Sequence, residues 1–554
     1  MVSRSITVHN PLTYVVLIVC LINTTSFVYS QTGPDTILYN GKIFTSDPKL
    51  PSSEAVAISS DRIQAVGVNA EIKKLATGKT RLIDLEGRTV VPGFNDAHTH
   101  YGPIFLGTQL NLKAPEPTWD DVTAAIRSGT STAPKGEWIL GTIGGTVLND
   151  PGATGAELDR LAPDHPVLLS AYFGHGAIFN SAAKKLLKIS ATQADPVGGR
   201  FERDRKTKKL TGRMFEYAHW HYLRVLAEQS SDEQLIGGLN QYTTQLATFG
   251  ITSIQVMPGI STERFIRLAK QAGIRIRMRV IPFSDTTSLG RDMSDITAVT
   301  RFRPDGSNVT ASGIKWILDG TPIERGAAMR SAYLDKPASN GALNFNQREI
   351  ENIVRESLDL NQQLLLHAVG DRAVEAALDA MEKVGGGKID WPSKRVRIEH
   401  GEGVSGDLIA RAKKLGIIVV QNPSHFTVVD VIQSRWGKDT KLSAQRSLID
   451  LGIHYAIGSD GPINPFLNIM FASIHPARPA EAITREQAVR AYTAGSAFAE
   501  LSETKKGSIA KGMLADLAVL SQDIFAVPAD ALPGTTSVMT IVGGKIVYDA
   551  KVLK

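Results

Sequence analysis

Four times between residues 245 and 460 the chain repeats one junction: a helical stretch ends in glycine, isoleucine follows, and an apolar strand begins. The four read QLATFG-ITSIQV, LAKQAG-IRIRMRVI, RAKKLG-IIVVQN and SLIDLG-IHYAIGSD. Glycine just past a helix caps it in the left-handed region, and the β-branched run after it is a buried strand. Alternation of this kind builds a parallel sheet with helices outside it. Collecting every candidate strand gives eight: RTVVPGF, ITSIQV, IRMRVIPF, GIKWILDG, LLLHAVGD, RVRIEHG, IIVVQNP and HYAIGSDG. The expected fold is therefore α/β, a (β/α)8 TIM-like barrel whose site residues stand at the C-terminal ends of the strands.

A barrel does not use all 554 residues. Residues 31–90 and 503–554 both read as short strands and turns, with Asn40-Gly41 and Gly543-Gly544 as hairpin signals. They are expected to meet as one small β-sandwich domain built from both chain ends, beside a barrel spanning 91–502. Too many residues separate the first two barrel strands for a single helix. Residues 113 to 230 are thus an insertion, rich in Gly and Pro up to Pro166, expected to cover the barrel mouth as a lid.

At the N-terminus, Arg4 precedes the apolar run LTYVVLIVCLI, then NTTSFVYS and Gln31. This is the pattern of a secretory signal peptide over residues 1–30, cut after Ser30. Its core is short for a membrane span, so export to a periplasmic or extracellular location is expected, with no stable span after removal. The single cysteine, Cys20, falls inside that segment. The mature chain then has no disulfide, thiolate ligand or cysteine nucleophile. A net charge of +6 is spread along the chain, with KTKK at 206–209 the densest run, and gives no nucleic-acid surface.

The strand ends carry the chemistry. In VVPGFNDAHTHYG, His98 and His100 lie one residue apart, and in an extended segment such residues point to the same side. Two converging imidazoles suit a borderline metal ion. The fourth strand offers Lys315, the fifth His367, the sixth His400 and the eighth Asp460. Four histidines, an aspartate and a lysine suit zinc, manganese or iron. Spacings this long bring no two of the strands' contributions together unless the barrel does so.

The blocks PGFNDAHTH, IKWILDG, LHAVGDRAV, RIEHGEGV, QNPSHF and GSDGP, with GHGAIFNSAA and TGRMFEYA in the insertion, make the chain resemble the amidohydrolase superfamily, and within it amidohydrolase family 3, which includes N-substituted formamide deformylases. The resemblance implies that His98, His100 and Asp460 bind one metal, that His367 and His400 bind a second where present, and that Lys315, carboxylated on its amine, bridges them. One or two divalent ions per chain, zinc first, are the implied cofactor. The implied activity is an amidohydrolase in which metal-activated hydroxide attacks a carbonyl of a small amide, N-substituted formamide or cyclic amide, a non-peptide C–N bond, with Asp460 moving the proton. His175 is implied as a substrate contact, although Phe173-Gly174 stand where many members have an acidic residue. Asp319 and His425 are further substrate-binding candidates, each with a turn- or loop-fixing alternative.

Other histidines read differently. His219 and His221 copy the HxH spacing but sit in a helical pattern, where residues two apart diverge by about 200°. Asp371 opens a helix, where Asp is an ordinary cap. Hydrolytic deamination, lactone or ester hydrolysis on the same site, and a non-catalytic binding protein on the barrel scaffold remain alternatives. The oligomeric state is open, a homodimer included.

Overall fold

The computed structural model describes residues 33–114 and 116–553. The signal peptide expected over 1–30, and Cys20 with it, lie outside them. Eight parallel strands carry a TIM-barrel-like α/β fold: β1 Phe94–Tyr101, β2 Ile251–Pro258, β3 Arg277–Val280, β4 Ile314–Ile317, β5 Leu364–Ala368, β6 Arg397–His400, β7 Ile418–Gln421 and β8 His454–Ile457. β1, β2 and β3 pair in that order, with the short parallel strand Val309–Ala311 on the outer edge of β3, and β4 through β8 pair in theirs. A parallel bridge between Phe283 and Lys315 joins the two runs. The Asp460 N–H donates to the His98 carbonyl at 2.9 Å, bringing the end of β8 back against β1.

The repeated junction does what its sequence dictates. Gly250, Gly273, Gly416 and Gly452 all have positive φ, between 61° and 79°, the conformation that ends a helix at low cost only in glycine. The outer helices bury one face each. Asn346 caps the helix Gln347–Asp359 in a reciprocal capping box, and Ile350, Ile353 and Val354 turn inward at helical spacing.

Strand alternation separates core from site. Leu364 and Leu366 of β5 pack outward among the helices, whereas Leu365 meets Met257 and Ile281 inside the barrel. His367 shares the inner face with Leu365. By the same parity Trp316 of β4 packs outward and Lys315 inward.

The first strand departs from expectation. Thr89–Pro92, expected to open the first barrel strand, instead pairs with Leu517–Leu520 and Lys42–Phe44. Gly93 separates the two sheets. A Cβ there would lie 2.2 Å from the Thr252 side chain, so the chain passes β2 only as glycine. The barrel strand is the next segment, and it contains His98 and His100 rather than preceding them.

Thr89–Pro92 belongs to a six-stranded sheet that also holds Ser537–Val542 and Lys545–Asp549. A four-stranded sheet of residues 36–84 lies beside it, and Val56, Ile83, Val90, Leu517 and Ile541 share one apolar cluster. The insertion is a folded unit. A six-stranded mixed sheet begins at Thr108–Gln109 and ends at Leu210–Glu216, with separate apolar clusters around Ile139 and Leu169 and around Leu168 and Met214. Among the described residues no helix is long and apolar enough to cross a membrane.

Candidate metal centre

β1 is not a regular strand. Its pairing with β2 slips between Asp96 and Thr99, a bulge that re-aims the side chains following it. His98 and His100 converge, with their Nε2 atoms 3.3 Å apart. Asp460 Oδ1 lies 3.6 Å from the first and 3.5 Å from the second. Asp460 Oδ2 faces the other way, 3.8 Å from His400 Nδ1 and 3.7 Å from His425 Nε2. These are two sets of three ligand atoms sharing one carboxylate. His400 has φ 68° and Asp460 φ 40°. Non-glycine residues hold such conformations at a cost, and functional sites are where they collect. For His400 the turn also brings over the barrel a ring that plain alternation would send outward, since Ile398 of the same parity packs outward.

His367 stands against this group, its ring centroid 4.4 Å from that of His400. Its Nε2 is buried and finds no hydrogen-bond partner among the described residues. Burial first, then the charges of His175, Lys315 and His98, hold its pKa well below the ordinary value, so it is a neutral imidazole. Burial also lowers His98, His100 and His400. A pair of facing Nε2 atoms, a buried imidazole nitrogen without a donor, and a shared carboxylate are a donor set that fits a divalent cation.

Lys315 is buried on the inner face of β4. Burial pulls its ammonium down to about 8 against the opposing pull of Glu399 and Asp460. Burial would raise Asp460, but His98, His100, His425 and Lys315 hold it at about 2, so it is a carboxylate at neutral pH.

Behind these side chains is a layer that sequence reasoning missed. Glu399 Oε2 accepts from His98 Nδ1 at 2.5 Å, and Arg397 clamps the same carboxylate from Nε at 2.7 Å and Nη2 at 2.9 Å. Arg397 also donates to the Ala97 carbonyl and to Gln255. All of this is fully buried. Burial would raise Glu399, yet Arg397, Lys315 and His98 keep it well below the ordinary carboxylate range. The bond at Nδ1 fixes the proton there and leaves Nε2 of His98 as a lone pair. The signal was present: in RVRIEH two opposite charges sit two apart in a strand that must be buried on both faces.

Asp319 is fully buried, and both its oxygens accept backbone N–H groups, from Val369, Gly370 and Ala328. It therefore fixes the loop, with its Oδ1 3.7 Å from His367 Nε2. His425 is on a short 3-10 turn, Pro423–Thr427, stacked on His400. The insertion delivers His175, whose ring centroid lies 5.1 Å from that of His367. Its Nδ1 is 3.0 and 3.1 Å from the Glu216 oxygens. Burial lowers this imidazole, but Glu216, Glu324 and Asp319 together push it up to about 9. His219 and His221 do not join the site: His219 bonds the Gly174 carbonyl and His221 bonds Asp285. A cleft of about 400 Å³ runs between the insertion and the loops after β4 and β7, lined by Glu116, Tyr172, Ile323, Arg325, Thr427 and Arg435.

Side chains that could hold a divalent ion, gathered over the C-terminal ends of parallel strands, are the site arrangement of an enzyme of TIM-barrel-like fold. Comparison with known proteins agrees. The model of the amidohydrolase family matches residues 81–548. Amidohydrolase YtcJ of Bacillus subtilis is 28% identical over 542 residues, covering 93% of this chain and 99% of its own. The N-substituted formamide deformylase of Arthrobacter pascens is 28% identical over 531 residues, covering 90% and 95%. A metal-dependent hydrolase from Pyrococcus horikoshii shares the fold with a TM-score of 0.68 at 22% identity, over 89% of this chain and 99% of that one. The chain belongs to the amidohydrolase family. It is a hydrolase acting on carbon–nitrogen bonds.

Proposed function

We propose that this protein is an exported amidohydrolase that cleaves a non-peptide C–N bond in a small amide, N-substituted formamide or cyclic amide. The observation carrying the reading is the convergence of His98 Nε2, His100 Nε2 and Asp460 Oδ1 within 3.6 Å of one another. His98, His100 and Asp460 would hold one divalent ion, zinc by preference, and His367, His400 and a carboxylated Lys315 a second. Bound there, a divalent metal supplies a water acidic enough to ionise near neutral pH and polarises a carbonyl oxygen.

The chain's own residues do the rest. Asp460, ionised at neutral pH, takes up a proton at Oδ2 and returns it to the leaving amine. Glu399 and Arg397 keep His98 in one tautomer. His175 donates a hydrogen bond to a substrate oxygen from the insertion side, and His425 borders the opposite wall. The cleft between the insertion and the strand-end loops is the substrate's route. In this reading residues 31–90 and 503–554 form the accompanying β-sandwich domain, and 113–230 close over the barrel mouth.

The test is a turnover panel of N-substituted formamides, linear and cyclic amides, lactones and aminopurines. Hydrolysis of amides, with lactones slower, is expected; turnover confined to lactones or aminopurines sinks the amide reading. Export is tested separately: the secreted protein's N-terminal sequence is expected to begin at Gln31.

A further inference from the structure

Glu216 sits at a sharp corner. The strand Leu210–Glu216 ends on it and the helix Tyr217–Ala227 starts immediately after, with no intervening loop. Its backbone is at φ 55°, ψ −133°. That region suits glycine, and a residue with a Cβ stays there only when its surroundings hold it. The surroundings do so here. The Tyr217 hydroxyl accepts the Ile317 N–H at 3.0 Å, and its ring packs against Trp316 and Phe345.

A structural use for the side chain would be to cap its own helix, but it makes no such bond. The buried carboxylate turns instead to His175 Nδ1, and accepts the Asn344 amide at 3.0 Å. Glu324 lies beside it, and its own carboxylate is held by the Thr321 N–H and hydroxyl. Gly320 makes room for both acids: a Cβ there would stand 2.3 Å from a Glu324 oxygen and 2.7 Å from a Glu216 oxygen. The folded insertion thus presses His175 and Glu216 against the loop after β4 that carries Gly320 and Glu324.

We propose that Glu216 is a positioning residue: from its strained corner it fixes the ring of His175 and balances its charge, so that the Nε2–H of His175 is aimed at a substrate acyl oxygen beside His367. The inference rests on the reading of His175 as a substrate contact. A strained strand-to-helix corner that projects one functional side chain is a recurrent way to aim a group into a site, and a carboxylate bonded at Nδ1 orients the ring that carries Nε2.

The experiment compares full-length zinc-loaded wild type with Glu216→Gly, Glu216→Gln, His175→Asn and the Glu216→Gly/His175→Asn pair. Glu216→Gly relieves the backbone but leaves His175 without its partner, so its metal content is expected to match wild type while kcat/KM falls about 10- to 100-fold. Glu216→Gln keeps an acceptor for Nδ1 and the strained backbone, and is expected to fall between the two. A backbone role alone predicts the reverse order, glycine above glutamine. Because Glu216 acts through His175, the double variant should be no slower than His175→Asn. Additive losses, or a fully active Glu216→Gly, overturn the proposal.

A downfield proton resonance from His175 Nδ1–H, lost in Glu216→Gly and in His175→Asn, reports the contact independently of turnover. Its absence from wild type refutes the role of Glu216. Its presence in a protein that hydrolyses no amide refutes the proposed function alone.

Discussion

Glu399→Gln keeps the shape of a buried side chain, removes its charge, and upsets a set of donors that only a carboxylate satisfies. Glu399 Oε2 accepts from both His98 Nδ1 and Arg397 Nη2, while Oε1 accepts from Arg397 Nε. Glutamine must turn its NH2 toward one of these donors. Facing His98, the amide forces the imidazole proton to Nε2 and removes the lone pair needed by a metal. Facing Arg397 Nε, it sets donor against donor and leaves a fully buried guanidinium half-paired. Losing a carboxylate behind a ligating histidine typically lowers metal affinity about 10- to 100-fold. Breaking a buried ion pair from one side costs about 3–5 kcal/mol. The assays are zinc competition against a chromophoric chelator, and urea unfolding of the metal-free protein. Affinity within twofold of wild type together with unchanged stability would refute the reasoning.

Three further outcomes are expected. Asp460→Asn should lower kcat about 10²–10⁴-fold with an unchanged circular dichroism spectrum; unaltered turnover removes Asp460 from proton transfer. His175 is pushed up to about 9, above its unfolded value of about 6.5, so its contribution to stability is full below pH 6.5 and lost as pH rises through 9. Metal-free wild type should therefore lose more stability than Glu216→Gln across that window, measured by urea unfolding at each pH. Gly93→Ala drives a methyl into Thr252 and should cost about 1–3 kcal/mol with a lower Tm.

Much of the barrel is legible because its signals are local. The junction glycines announce helix ends and the apolar runs after them announce strands, and strand parity sends His367 and Lys315 inward. The HxH pair is legible for the same reason. The start of the barrel is not, because VVPGF is apolar throughout and nothing in it tells that Val90 and Val91 belong to one sheet and Phe94 to another. The bulge that turns His98 inward depends on pairing with β2, more than 150 residues away. Glu216 and Glu324 escape a sequence reading because only the fold of the insertion brings them to His175. Glu399 could have been noticed, since a charge inside a doubly buried strand needs a partner, but which histidine it serves is set by the barrel's closure.

The most direct test of the metal centre is metal content per chain, measured by elemental analysis on protein purified without chelator or metal-binding tag. One or two divalent ions per chain are expected, removed with activity by chelation and restored with it by zinc or manganese. A chain that retains no metal after incubation with zinc, manganese and bicarbonate would contradict a metal-dependent site at His98, His100 and Asp460.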